Sequence, residues 1–146
     1  MIVGEGTATV SVSPTEVFEF VLDLNRYRQA DHKIGRVGAI NRDGDNGTVR
    51  FSGRIMGIPS PPATYPFTVS ESRLQFGSPI AGLNKWLLGF DGTFDCETTD
   101  AGTVVIHREA FTFRGPLGWI MEPLLRRWLA ADTKKEMVRF KEIIER

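Results

Sequence analysis

The chain has 146 residues, 41% of them apolar and 25% charged, with 18 basic and 18 acidic side chains and a formal net charge of zero. That length suits one domain with a sizeable core, spanning residues 1–146, and the charge balance excludes a nucleic-acid binder that relies on bulk positive charge. No apolar run reaches the roughly 18 residues of a membrane-spanning helix.

The opening Met1-Ile-Val-Gly-Glu-Gly6 lacks a basic stretch followed by an apolar one, so no leader peptide is expected. Cys96 is the one cysteine, which leaves no internal disulfide and fits a reducing, cytoplasmic setting. With only two histidines beside it, no metal-ligand spacing is present, and neither a metal nor another cofactor is expected.

Residues Thr7 to Val12 alternate, which predicts a strand with one buried face. Ser13-Pro14-Thr15-Glu16 then carries helix-start chemistry: an N-cap serine, a proline at the first helical position, and a glutamate three residues after the serine. Val17, Phe18, Val21 and Leu22 follow at helical spacing, so a helix is expected from about Pro14 to Asp23. Asn25 to Ala30 reads as a second short helix or turn. A strand is expected over about 35–41. Asp43-Gly-Asp-Asn-Gly47 is dense turn chemistry and should open a hairpin into a strand over 48–56.

The prolines of Gly57-Ile-Pro-Ser-Pro-Pro62 are expected to break the sheet, which resumes over 63–70 and 74–76. Gly77 to Gly82 reads as a loop, and Trp86 to Thr98 as a strand with Leu88, Phe90, Gly92, Phe94 and Cys96 on one face. The last strand is expected over 103–114. There His107, Glu109, Phe111 and Phe113 share the face favoured as inward. After Gly115-Pro116-Leu117-Gly118 a single long helix runs nearly to Arg146. Its apolar positions are Leu117, Ile120, Met121, Leu124, Leu125, Trp128, Met137, Phe140, Ile143 and Ile144. Pro123 should kink it or mark its start. Arg126, Arg127, Lys134, Lys135, Arg139 and Lys141, with Glu136, Glu142 and Glu145, read as its solvated face.

One strand, two short helices, about six further strands and a long helix describe an α+β helix-grip: a curved antiparallel sheet of six to seven strands wrapped around its C-terminal helix. The layout resembles the START/Bet v 1-like superfamily, in its polyketide cyclase/dehydratase and lipid-transport branch. The resemblance rests on the opening strand into Ser13-Pro14-Thr15-Glu16-Val17-Phe18, on Leu24-Asn25-Arg26-Tyr27, and on the closing strand with Arg114-Gly115-Pro116-Leu117-Gly118. It covers essentially the whole chain. It implies an internal cavity and a range of roles, from lipid binding and aromatic cyclisation to protein interaction and toxin-like regulation. The tryptophan usual after the second helix is not evident; Tyr27 and His32 are the large polar rings there.

On that layout the cavity would be lined by Phe51, Ile55, Tyr65, Phe67, Phe76, Phe90, Phe94 and Phe111 from the sheet, and by Met121, Leu124 and Trp128 from the helix. Gly53 and Gly92 on the same faces would leave room. The expected ligand is hydrophobic: lipid-, sterol- or polyketide-like. His107 and Glu109 are the candidate catalytic pair if the chain is an enzyme, with the histidine as acid/base and the carboxylate orienting it or serving as base. Ile58, Ile80, Leu83, Trp86 and Trp119 are expected to form an apolar entrance rim. Such a rim is open to ligand entry, a transient membrane contact or a homodimer contact; monomer and dimer are both left open.

Overall fold

A computed structural model describes residues 1–146. In chain order the elements are β1 (Ile2–Val10), α1 (Pro14–Leu22), α2 (Leu24–Tyr27), β2 (Ile34–Asp43), β3 (Asn46–Ile55), β4 (Ile58–Val69), β5 (Arg73–Phe76), α3 (Asn84–Leu87), β6 (Leu88–Thr99), β7 (Gly102–Phe113) and α4 (Pro116–Ile144). The seven strands form one antiparallel sheet in the order β1-β7-β6-β5-β4-β3-β2. The 29-residue α4 lies against its β1–β7 end. This is the helix-grip architecture, with the two short helices after β1.

The start of α1 follows its sequence chemistry. Ser13 is extended, and its hydroxyl accepts from the Glu16 backbone N–H at 3.2 Å. Pro14 then opens the helix, where its missing N–H would have had no intrahelical partner. Val17, Phe18, Val21 and Leu22 are all buried in the main core beside Tyr27, Phe94 and Phe140.

Three boundaries differ from expectation. β1 begins at Ile2 rather than near Thr7, because Gly4 and Gly6 serve packing, not a turn. A Cβ at Gly4 would lie 2.9 Å from the Leu129 carbonyl, and one at Gly6 would lie 2.8 Å from the Thr133 carbonyl. The bare backbone of β1 is what lets α4 rest directly on it. β4 runs through Pro59, Pro61 and Pro62 instead of breaking there. The Pro66 carbonyl accepts from Gly77, which puts that proline's missing N–H on the side away from β3, so the β3–β4 ladder is not interrupted there. Trp86 and Leu87, expected at the head of a strand, belong instead to the helical turn α3. Buried Asn84 anchors it by donating to the Pro61 carbonyl at 3.2 Å.

Helix α4 starts at Pro116, after Gly115 at φ 62°, and runs through Pro123 without ending. Its buried face comprises Gly118, Leu125, Leu129, Thr133, Glu136, Met137 and Phe140. The helix is therefore rotated relative to the expected stripe: Ile120 and Leu124 are exposed, and Glu136, assigned to the solvated face, is completely buried.

Candidate functional site

The inner surface of the sheet encloses a cavity of roughly 100 Å³, open at one side. Phe51, Ile55, Tyr65, Phe76, Phe90, Phe94 and Phe111 line it, as do Gly53 and Gly92. Ring packing makes this wall continuous: Phe51 stacks on Tyr65 at 4.7 Å, Tyr65 meets Phe90 edge-on at 5.8 Å, and Phe90 lies 4.9 Å from Phe111.

The other expected lining residues lie elsewhere. Phe67 is buried in the core beside Phe76, outside the lining. Met121 and Trp128 pack, partly buried, on the small cluster of Ile2, Leu88, Phe113, Leu125 and Leu129. Leu124 is 63% exposed. The rotation of α4 turns Leu125 and Leu129 into that cluster, and no residue of α4 lines the cavity, whose second wall is Val21, Leu24 and Tyr27 of α1 and α2 rather than the expected C-terminal helix.

One end of the cavity is polar. Tyr27, Asp31, Lys33, His107 and Glu109 line it, and Asp132, Thr133 and Glu136 of α4 stand behind them. The Lys33 ammonium, 9% exposed, lies 2.9 Å from Asp31, 3.3 Å from Glu109, 2.9 Å from Asp132 and 2.8 Å from Glu136. His107 sits between two acceptor types. Its Nδ1 is 2.9 Å from the Thr93 carbonyl, and its Nε2 is 2.9 Å from Glu109 and 3.1 Å from Glu136. A carbonyl and a carboxylate can only accept, so both ring nitrogens donate and the ring is an imidazolium. It stacks on Phe94 at 3.9 Å. The Tyr27 hydroxyl donates to Glu136.

The electrostatics match this geometry. Burial would lower the pKa of Lys33, but Asp31, Glu109, Glu136 and Asp132 outweigh it and hold the ammonium well above its ordinary value. His107 behaves alike: burial works against the charge, and Glu136 with Glu109 raises it well above the usual range. Burial would raise Glu136, yet Lys33 and His107 hold it well below the carboxylate range. Asp31 goes the other way, pushed up to about 7 by burial and by the neighbouring Glu136 charge. The Cys96 thiol is pushed up to about 12 by burial, which leaves it protonated and unreactive.

Two sets of potential metal ligands occur here: His107, Glu109 and Glu136, and Asp31, Asp132 and Glu136. The chain already supplies the cation for both. Lys33 stands among the carboxylates, and a protonated Nε2 offers a metal no lone pair. Lys33 is likewise no nucleophile, since a locked ammonium has no free pair.

The expected rim residues Ile58, Ile80, Leu83, Trp86 and Trp119 are all exposed, Trp86 at 70% and Trp119 at 84%. Backbone bonds tie their loops together. Ile80 donates to Thr64 at 2.9 Å, Thr64 donates to Ala81 at 3.0 Å, and Arg114 donates to Leu87 at 2.9 Å. Trp119 borders a separate shallow depression with Met1, Phe113 and Pro116, away from the cavity.

Sequence reasoning brought out His107 and Glu109 and missed Asp31, Lys33, Asp132, Thr133 and Glu136. A usable signal was present. Leu125, Leu129, Thr133, Glu136, Met137 and Phe140 follow helical spacing, so an unbroken inward stripe has to pass through Thr133 and Glu136.

The same fold recurs among solved structures. The Thermus thermophilus protein TTHA0849 superposes with a TM-score of 0.76 at 14% identity, covering 97% of this chain and 96% of that one. The Zhui aromatase/cyclase of a Streptomyces species gives 0.74 at 15% identity over 99% and 93%. A STAR-related lipid transfer protein fragment from Xanthomonas axonopodis gives 0.74 at 10% identity over 97% and 85%. No curated protein matches the chain by sequence. The family model for polyketide cyclase / dehydrase and lipid transport matches residues 1–145, and the chain belongs to that family.

Proposed function

We propose that the chain binds a hydrophobic small molecule, or the apolar part of a larger one, in the cavity between the sheet and the α1–α2 segment, as a carrier or sensor. The carrying observation is the continuous aromatic wall around an enclosed space in a family that joins cyclases with lipid transport. At roughly 100 Å³ the space is below the about 300–1,000 Å³ of drug-sized sites. It suits a single ring or an acyl tail, and a lipid-, sterol- or polyketide-sized molecule would extend out through the open side. Titration with the fluorescent apolar probe N-phenyl-1-naphthylamine tests this. Saturable one-to-one binding that is lost in the cavity-filling variant Ile55→Trp is expected. Equal binding in a folded Ile55→Trp would place the probe elsewhere and refute the reading.

A second reading, a cyclase/dehydratase-type enzyme, is favoured by one observation: His107 and Glu109 are bonded to each other and both line the cavity. The imidazolium would then donate a proton at Nε2, with Glu109 beside it to take one. Turnover of an aromatic polyketide-type substrate should vanish in His107→Ala and Glu109→Gln variants that still fold; unchanged turnover in both refutes it.

A further inference from the structure

We propose that the polar end of this cavity selects a ligand head group that donates hydrogen bonds, an amine or a hydroxyl, and rejects carboxylates and phosphates. The inference rests on the cavity being the ligand site.

The argument counts charges and protons. Four carboxylates, those of Asp31, Glu109, Asp132 and Glu136, meet two cations, Lys33 and His107. The donors are already engaged. The three N–H groups of Lys33 are shared among four carboxylates within 3.3 Å. Both N–H groups of His107 are taken, by the Thr93 carbonyl and by Glu109 with Glu136. The Tyr27 hydroxyl is spent on Glu136. Among the groups that line this end no unengaged donor remains to receive an anion; the one buried donor without a partner, Arg139 Nη2, belongs to a side chain outside the lining.

Acceptors are in surplus. Each carboxylate offers about four lone-pair sites. Glu109 and Asp31 both face the cavity, and the cations leave several of those sites unfilled. Of the remaining polar groups lining the space, Asn84 donates to Pro61, while the Ser60 hydroxyl, which accepts the Gly53 N–H, and the Tyr65 hydroxyl keep their own O–H; both are neutral and neither is bonded to the carboxylate cluster. Arg54 also borders the cavity, but its side chain is exposed, so an anion held there would stay in water. The aromatic wall adds to the preference, because the faces of Phe and Tyr rings attract cations. An anion entering this end would meet an excess of buried negative charge. A donor would meet open acceptors.

Size makes the test direct. A cavity of about 150 Å³ accommodates benzene, so at roughly 100 Å³ the enclosed part takes a head group with a short arm and the phenyl ring extends into the open side. Isothermal titration calorimetry at pH 7.5 with 2-phenylethylamine, 2-phenylethanol and phenylacetate compares three molecules that share the ring and differ at the head. The amine and the alcohol should bind saturably, with phenylacetate at least tenfold weaker. Glu109→Gln and Asp31→Asn should each shrink the amine-over-acid ratio at least threefold. Where one of these variants fails to fold, the other and the wild-type ratio decide. Phenylacetate binding as tightly as the amine overturns the inference and leaves the cavity reading in place. So does the failure of all three when N-phenyl-1-naphthylamine still binds. Failure of all four removes the cavity reading and the inference together.

Discussion

Replacing Lys33 with methionine keeps the length and apolar stem of the side chain and removes one charge. In the native protein that charge is within 3.3 Å of four carboxylates, and Glu136 among them is fully buried. Without it, His107 alone would offset Asp31, Glu109, Asp132 and Glu136. Removing one partner of a buried ion pair costs about 3–5 kcal/mol, because the other charge is left without compensation. Several carboxylates are stranded here, so the upper part of that range is expected. Against a total stability of about 5–15 kcal/mol, the loss is large. For a chain of this size it lowers Tm by roughly 6–20 °C.

The loss should also depend on pH, with a definite sign. The stranded carboxylates would have raised pKa values in the folded variant, so the folded state would hold protons that the unfolded state releases. Stability of Lys33→Met should therefore rise as pH falls from 8 toward 5. Thermal and urea unfolding at pH 8, 7, 6 and 5, followed by circular dichroism, measures both quantities. A loss under 1 kcal/mol at pH 8, or a loss constant over that range, would refute the claim that Lys33 compensates a buried acidic cluster.

Other outcomes follow from the same structure. Asp31 has its folded pKa raised from 3.8 to about 7, so the folded state binds more protons than the unfolded state between those values and stability should fall as pH rises through that window. A shift of roughly three units sets an upper bound of about 4 kcal/mol. Asp31→Asn should flatten the profile and be more stable than wild type at pH 8; an unchanged profile contradicts the assignment. Gly4→Val should cost about 1–3 kcal/mol, since its Cβ would press on the Leu129 carbonyl and push α4 off β1, and urea denaturation reads this directly.

Eight of the twelve exposed large apolar side chains, including those of Trp86 and Trp119, fall within residues 53–62, 77–88 and 112–131. The same segments carry Arg54, Lys85, Arg114, Arg126 and Arg127 against Glu122 alone, in a chain whose net charge is zero. Co-sedimentation with phosphatidylserine-containing vesicles should exceed that with neutral vesicles and drop in Trp86→Ala/Trp119→Ala, whose stability should change by less than about 0.5 kcal/mol. Equal sedimentation with both vesicle types would argue against a membrane contact.

Most of the fold was legible because its signals are local. Ser13-Pro14-Thr15-Glu16 starts a helix by its own chemistry, Asp43 to Gly47 turns a hairpin, and alternation placed His107 and Glu109 on one face of the last strand. What stayed hidden depends on partners far along the chain. Gly4 and Gly6 fell outside the strand expected from Thr7, because the helix 120 and more residues later that needs their bare backbone leaves no local mark. Glu136 reads as a solvent charge and Lys33 carries no local signal, because only the folded chain brings Lys33 Nζ within 2.8 Å of a carboxylate 103 residues away. The rotation of α4, which moved Leu124 to the surface, was obscured for the same reason. A stripe judged by hydrophobicity alone skips Thr133 and Glu136 and follows the apolar residues beside them.

The central claim is that the cavity between the sheet and the α1–α2 segment holds an apolar ligand. Native mass spectrometry of freshly purified protein, with organic extraction of whatever is released, tests it most directly. The account predicts one hydrophobic molecule per chain, present in the wild type and absent from a folded Ile55→Trp variant. A bare chain that stays bare after incubation with N-phenyl-1-naphthylamine, or an adduct that Ile55→Trp retains, would contradict it.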